Sequence, residues 1–354
     1  MKSRHLISIA FFTLLIGLPL GFFINARAQN SSGNGSHGKQ QEQVSPSNYR
    51  FSGPYTHENL TVFLVHGKDL SNKNFLTLQE ALEQKKVRVY ETKDVNQLAI
   101  KNLSNEYIYV QAGDIVRGGE QDRMISIDFI VPPNSGRMPI AAFCVESGRW
   151  SKRGNEEAGV FSSSENAVAL KELKLAAKRE NSQQAVWQNV SLAQEKLSRN
   201  VGGDVKDGAS ASSFELSVEN AKVKETTATY IKALTAVRLS KSDVIGYVFA
   251  INGHINSADV YASHALFVKL WPKLLKASAV EAIAELNKDT EVKPIVSETV
   301  ETFMAESEKP SAAAKDVTSR VKVVTREDDK NIFFETQDRS QKDGWVHRNY
   351  IRKQ

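Results

Sequence analysis

Short β-branched and aromatic runs crowd both ends of this chain, and stretches with a helical period fill its middle. Residues 62–65, 87–90, 107–110, 125–131 and 140–145 read as strands bounded by Gly and Pro, with a helix at 76–84 between the first two. Ser162 with Glu165 three residues on forms a capping box, which predicts a helix through Leu170 and Leu173. Val186, Val190, Ala193 and Leu197 extend the same apolar stripe to a Gly202-Gly203 stop. A polar loop follows at 203–213, then a helix whose inner face carries Tyr230, Ile231, Leu234 and Val237. Residues 244–255 predict a hairpin turning at Asn252-Gly253. Phe267 to Leu275 lie in a further helix that Pro272 should kink or restart, and Ser278 with Glu281 caps one more. Beyond a spacer rich in Ala, Lys and Ser, residues 321–324, 332–335 and 345–351 close the chain as strands. This order predicts an α+β fold, a mixed or antiparallel sheet with a central helical segment, in a single large domain over 49–354.

The amino terminus predicts an address. Lys2, Arg4 and His5 precede an apolar run at 6–24, and Ala26-Arg27-Ala28 supplies the small residues that a signal peptidase accommodates. Residues 1–28 therefore read as a cleavable signal peptide, giving a periplasmic or secreted protein that starts at Gln29. A retained membrane anchor is the alternative. Residues 29–48 form a polar tether too poor in apolar groups to order. Gly33, Gly35 and Gly38 satisfy a nucleotide-loop pattern there, yet no strand precedes them and Gln40 replaces the required Ser or Thr. Of the formal charge of +5, Lys2, Arg4 and Arg27 leave with the leader, so the mature chain carries +2. That field does not imply nucleic acid as a partner, and no membrane partner is expected after cleavage. Protein partners are not readable from the sequence. A single cysteine excludes an intramolecular disulfide framework.

The stretch with most chemistry is AGDIVRGGEQDR at 112–123, followed by CVESGRW at 144–150. Gly118 and Gly119 permit a tight turn with exposed N–H groups, which hold an anion when arginine forks stand near. Arg117, Arg123 and Arg149 supply such forks, and Gln121 lies in the same segment. Asp114, Asp122 and Glu146 could orient them, and Asp122 with Glu146 are candidates for a catalytic acid and base. The competing reading is scaffolding: arginines and carboxylates at strand ends often pair with one another, and Trp150 suits packing. The seven histidines are scattered without metal-ligand spacing, so no metal or other cofactor is expected. No G-x-S-x-G elbow is present, and Cys144 in an apolar strand reads as a buried inert thiol.

Four blocks carry a resemblance: GDIVRGGEQDRMI, AFCVESGRW, QQAVW and GYVFAINGHINSADVYASHALFVKLWPKLL. Together they resemble the ADP-ribosylglycohydrolase- and rhodanese-phosphatase-superfamily-associated protein domain family, over roughly 49–351 and in the same order. The association in that name implies a nucleotide or sugar-phosphate ligand, and it assigns no catalytic residue. Three readings follow. The first is an exported domain binding a small anion (nucleotide, sugar phosphate or carboxylate) through the arginine–glycine cluster. The second is a hydrolase or transferase acting on a glycosidic or phosphoester bond through paired carboxylates. The third is a structural or interaction module of the cell envelope. Geometry separates them: arginines converging on an open cleft, carboxylates facing across one, or charges paired internally.

Overall fold

The chain opens with a hairpin, β1 (Arg50–His57) and β2 (Leu60–His66). β3 (Phe75–Thr77) then feeds α1 (Leu78–Glu83) through a capping box. Thr77 Oγ1 accepts from Glu80 N at 3.1 Å, and Glu80 Oε2 accepts from Thr77 N at 2.9 Å. The first strand-rich half continues with β4 (Val87–Glu91), β5 (Gln97–Asn102), β6 (Tyr107–Val110), β7 (Asp114–Gly118) and β8 (Arg123–Ile125). It ends with β9 (Phe129–Val131), β10 (Met138–Cys144) and β11 (Phe161–Val168). The helical middle comprises α2 (Lys171–Lys178), α3 (Gln183–Val201), α4 (Phe214–Glu219) and α5 (Ala221–Leu234). β12 (Val244–Ile251) and β13 (His254–Tyr261) lead into α6 (His264–Ala284) and α7 (Ser297–Ser307). β14 (Ala312–Asp316), β15 (Val321–Glu327), β16 (Asn331–Asp338) and β17 (Trp345–Arg352) finish the chain. These elements come from a computed structural model that describes residues 49–353, apart from 72, 93, 150, 152, 154–158, 160, 236, 238–241, 290–291 and 341–343. The expected leader, cleavage site, tether and discarded glycine motif lie outside the described residues, as does Trp150.

Among the described residues the strands form three sheets in one α+β domain. The largest, in the order β1-β2-β12-β13-β17-β16-β15-β14, is antiparallel throughout and joins the two ends of the chain. The second runs β11-β7-β8-β10-β5-β4, and a third, β3-β6-β9, contains the parallel pair β3·β6. β2 and β12 are buried along their whole length, which explains their near-continuous apolar sequence. Leu60, Val62 and Leu64 pack with the residues of α3, α5 and α6, while Phe63 and Val65 face Val300, Phe303 and Met304 of α7. Among the described residues no helix is long and apolar enough to cross a membrane.

The β12–β13 turn has Asn252 at φ 52° and Gly253 at φ 77°, the mirror-image turn expected there. A Cβ on Gly253 would lie 2.8 Å from the Lys293 carbonyl oxygen, so glycine is required on two counts.

Several local expectations yield to tertiary context. Ser162 and Ser163 belong to β11, where they pair with Arg117 and Val116, and the helix begins only at Lys171. Ladder pairing with β7 outweighs the local capping signal. The expected single stripe is two helices, because Asn181 adopts φ 52° and Ser182 caps α3 through Ala185 N. α6 is assigned as one helix across Pro272, and Ser278 lies inside it, its hydroxyl donating to Leu274 O at 3.1 Å instead of capping. The 125–131 run is two strands in different sheets, separated where Asp128 turns inward. The spacer before 321 contains β14, and α7 precedes it with an apolar Val300, Phe303, Met304 face.

Asp128 links two of the sheets. It accepts from His347 Nδ1 at 2.8 Å, from Thr336 Oγ1 at 2.5 Å and from Ala112 N at 2.8 Å. His347 Nε2 lies 3.0 Å from Asp259 Oδ1, so both ring nitrogens face carboxylates and the ring is held as the imidazolium. Burial alone would lower the His347 pKa, but the two aspartates hold it above its usual value. Burial would likewise raise both aspartates, and His347 keeps each below the usual carboxylate range. The His347 contribution is full below about pH 6.5 and is lost as pH rises through its raised value. The aspartate contribution is present above about pH 4 and is lost as pH falls. Urea midpoints are therefore expected to fall on the alkaline side of about pH 6.5, and His347→Gln to abolish that slope. Parallel profiles in the two proteins, or a normal His347 titration by carbon-13 NMR, would contradict the charged bridge.

Candidate functional site

The glycine turn forms as the sequence implies. Gly118 has φ 120° and Gly119 φ 58°, between β7 and β8. A Cβ on Gly119 would sit 2.4 Å from Glu91 Oε1 and 2.5 Å from Phe161 Cζ, so any larger residue must displace them as well as adopt a positive φ. The turn also exposes N–H groups to anions, but the anions are the protein's own. Gly118 N donates to Asp122 Oδ1 at 3.0 Å, and Glu120 N donates to Glu91 Oε1 at 3.0 Å.

The arginines are matched in the same way. Arg123, on β8 and only 2% exposed, donates to Gln121 Oε1 at 3.0 Å and Cys144 Sγ at 2.7 Å, and lies 3.4 Å from Glu91 Oε2. Arg149 donates through Nε to Glu146 Oε1 at 2.8 Å and through Nη1 to the carbonyls of Gly119 and Ser151. Its Nη2 stands 3.6 Å from Asp122 Oδ1. Arg153 completes the set, donating to both Asp122 oxygens at 3.1 and 3.4 Å and approaching Glu146 Oε1 at 3.9 Å. Sequence reasoning missed Arg153, although it stands four residues beyond Arg149 in the same segment. Arg117 lies apart, pairing with Glu219 of α4 at 2.7 Å, and Asp114 pairs with Lys273 of α6 at 2.9 Å. The structure thus gathers Gln121, Asp122, Arg123, Glu146 and Arg149 and leaves Arg117 and Asp114 outside.

Burial raises the Asp122 carboxyl, with Arg153 opposing and Glu146 adding to the rise. Burial also pushes Glu146 up, but the Arg149 hydrogen bond and others bring it below the usual value. Opposed shifts suit an acid–base pair. Both carboxylates are nevertheless 0% exposed, beneath Arg149 and Arg153. Burial raises the Cys144 thiol to about 11, against the pull of Arg123, so it stays protonated. Among the described residues no group of three or more His, Cys, Asp or Glu could hold a metal ion.

An open groove of about 840 Å³ lies elsewhere, between the β12–β13 turn, α7 and the ends of β16 and β17. Lys171, Lys330, Arg352 and Lys353 line it with His254, against the carboxylates Glu298 and Glu306. Lys353 pairs with Glu327, and Lys171 lies 3.7 Å from Glu172. Lys330 and Arg352 make no ion pair among the described residues; Arg352 Nη1 donates to the neutral Asn331 Oδ1 at 2.9 Å. No sequence pattern marked this set, because its cations come from the start of α2, the β15–β16 turn and the end of β17.

Residues 48–351 match the model of the ARPP-1 family, the ARG and Rhodanese-Phosphatase-superfamily-associated Protein domain. No curated protein and no solved structure matches the chain.

Removing one member of a buried Arg–carboxylate pair strands its partner, a loss of about 3–5 kcal/mol. Arg123→Gln and Arg149→Gln are each expected to lower ligand-free stability by about that much in urea melts. Unchanged or higher stability in both would instead mark the arginines as held for a ligand.

Proposed function

This chain belongs to the ARG and Rhodanese-Phosphatase-superfamily-associated Protein domain family, and from that premise we propose that it binds a small anionic ligand in the groove between α7, the start of β16 and the end of β17. One observation carries this reading: Lys330 and Arg352 line the groove without an ion pair within 4 Å among the described residues, the field of Arg352 reaching only as far as Asp328 outside the lining. The arginine–glycine cluster has the opposite character. Each of its cations has a protein carboxylate within 4 Å, so an entering anion would have to displace an internal one. Lys171 and Lys353 have carboxylates of their own in Glu172 and Glu327, so the positive character of the groove lies with Lys330 and Arg352, and the space suits a ligand of nucleotide or sugar-phosphate size.

Titration calorimetry with inorganic pyrophosphate at low ionic strength tests this. A hydrogen bond to a charged group contributes about 1.5–3 kcal/mol, so Lys330→Gln and Arg352→Gln are each expected to weaken binding about tenfold or more. Lys330 is exposed, so its variant should keep the urea midpoint, whereas Arg352→Gln also gives up the hydrogen bond to the buried Asn331 and should lose about 1 kcal/mol. Wild-type affinity in both variants, or no binding by the wild type, would overturn the assignment.

A further inference from the structure

Ser52, His66 and Asp243 form a continuous hydrogen-bond chain that neither the groove nor the arginine cluster uses. Ser52 on β1 faces Leu64 of β2, which makes His66 its diagonal neighbour on the same face. Ser52 Oγ lies 2.7 Å from His66 Nε2, and His66 Nδ1 lies 3.0 Å from Asp243 Oδ1. Asp243 stands just before β12 and is held from two sides. Its backbone carbonyl accepts from Gly67 N at 2.8 Å, and its second carboxylate oxygen accepts from Arg50 Nη2 at 2.6 Å.

The chain has a direction. A carboxylate only accepts, so an uncharged His66 ring carries its proton on Nδ1 and donates it to Asp243. Nε2 is then left as an acceptor, and the Ser52 hydroxyl donates to it. The His66 hydrogen bond, together with Arg50, keeps the Asp243 carboxyl below its usual range, so the group that orients the ring stays ionised. His66 is buried, whereas Ser52 is only half-buried. A carboxylate that orients an imidazole, which in turn accepts from a hydroxyl, is the arrangement that activates a serine for attack. A β-bulge follows Ser52 directly: Tyr55 faces Val62, so Gly53 and Pro54 share the one place opposite Phe63. Among the described strands β1 is outermost in its sheet, so its free edge presents N–H groups without a ladder partner. Donors of that kind hold a carbonyl oxygen as it gains charge.

We propose that Ser52, His66 and Asp243 form a nucleophilic triad that hydrolyses a carboxylic ester, an activity separate from anion binding in the groove. Ser52 Oγ bonds to the acyl carbon as its proton passes to His66 Nε2. The ester C–O bond breaks, and the leaving alcohol takes that proton. Water then attacks the acyl carbon and gives a proton to His66. The acyl–Oγ bond breaks, the carboxylic acid leaves, and His66 returns the proton to Ser52. Asp243 touches no substrate and is the positioning residue for His66. No motif marks the set in the sequence, because its members come from β1, β2 and the entry to β12.

Diisopropyl fluorophosphate, which phosphorylates an activated serine with loss of fluoride, tests this on the full chain. Intact mass should show a single adduct, peptide mapping should place it on Ser52, and the same protein should hydrolyse p-nitrophenyl acetate. Ser52→Ala should abolish both reactions, and His66→Gln should slow both about a hundredfold or more. Asp243→Asn should slow both as well, with Asp243→Glu restoring part of the rate, which a merely structural role would not do. The mapping on the wild type stands whether or not a variant folds. An unmodified Ser52, no ester hydrolysis above the buffer rate, or hydrolysis that survives Ser52→Ala would overturn the triad.

Discussion

A protonated imidazole between two buried carboxylates joins the eight-stranded sheet to the small sheet that carries β9. Such a ring cannot leave without exposing two unmatched negative charges to a dry interior, so Asp128, His347 and Asp259 move as a unit or not at all. Tyr261 stacks on the ring at 4.5 Å, and its hydroxyl donates to Gln111 at 2.8 Å. Asp128 also holds the backbone of Ala112, and Asp114 two residues later is clamped to Lys273 of α6. The entry into β7 is thereby fixed on both sides. The glycine turn at the far end of β7 and Arg123 on β8 inherit their position from that anchorage.

The cluster is a second closed unit built on the same principle. Glu91 and Asp122 fill the anion sites of the turn, and Arg123, Arg149 and Arg153 neutralise the carboxylates that do so. Among the described residues Gln121 Nε2, Arg123 Nε and Arg149 Nη2 make no hydrogen bond, but each arginine is paired with an internal carboxylate that an entering anion would have to displace. The groove differs in the one respect that matters for recognition. There Lys330, from the β15–β16 turn, and Arg352, at the end of β17, line the groove without an ion pair among the described residues.

Local signals told the truth where the element they specify needs nothing distant. Asn252-Gly253 turns the hairpin and Gly202 stops α3 at φ 68°, because positive φ is a property of the residue itself. They failed where a remote partner decides. Ser162 reads as a cap until β7 pairs with it, and Ser278 reads as a cap until it is buried within α6. The convergence of Gln121, Asp122, Arg123, Glu146 and Arg149 was legible because they lie where the start of β8 pairs with the end of β10. Their closure was not, since Glu91 comes from β4, two strands beyond β10 in the sheet. The groove was invisible for the same reason: Lys171, Lys330 and Arg352 are scattered along the chain and each resembles an ordinary solvated charge.

Matched cations build this fold, and Lys330 and Arg352 are the ones proposed to recognise a ligand. Nitrogen-15 NMR of the arginine Nε groups, followed during titration with inorganic phosphate, reads this residue by residue. The Arg352 resonance is expected to move in a saturable way while those of Arg123 and Arg149 stay fixed. Movement of Arg123 and Arg149 with Arg352 silent would place the ligand in the arginine–glycine cluster and contradict the account.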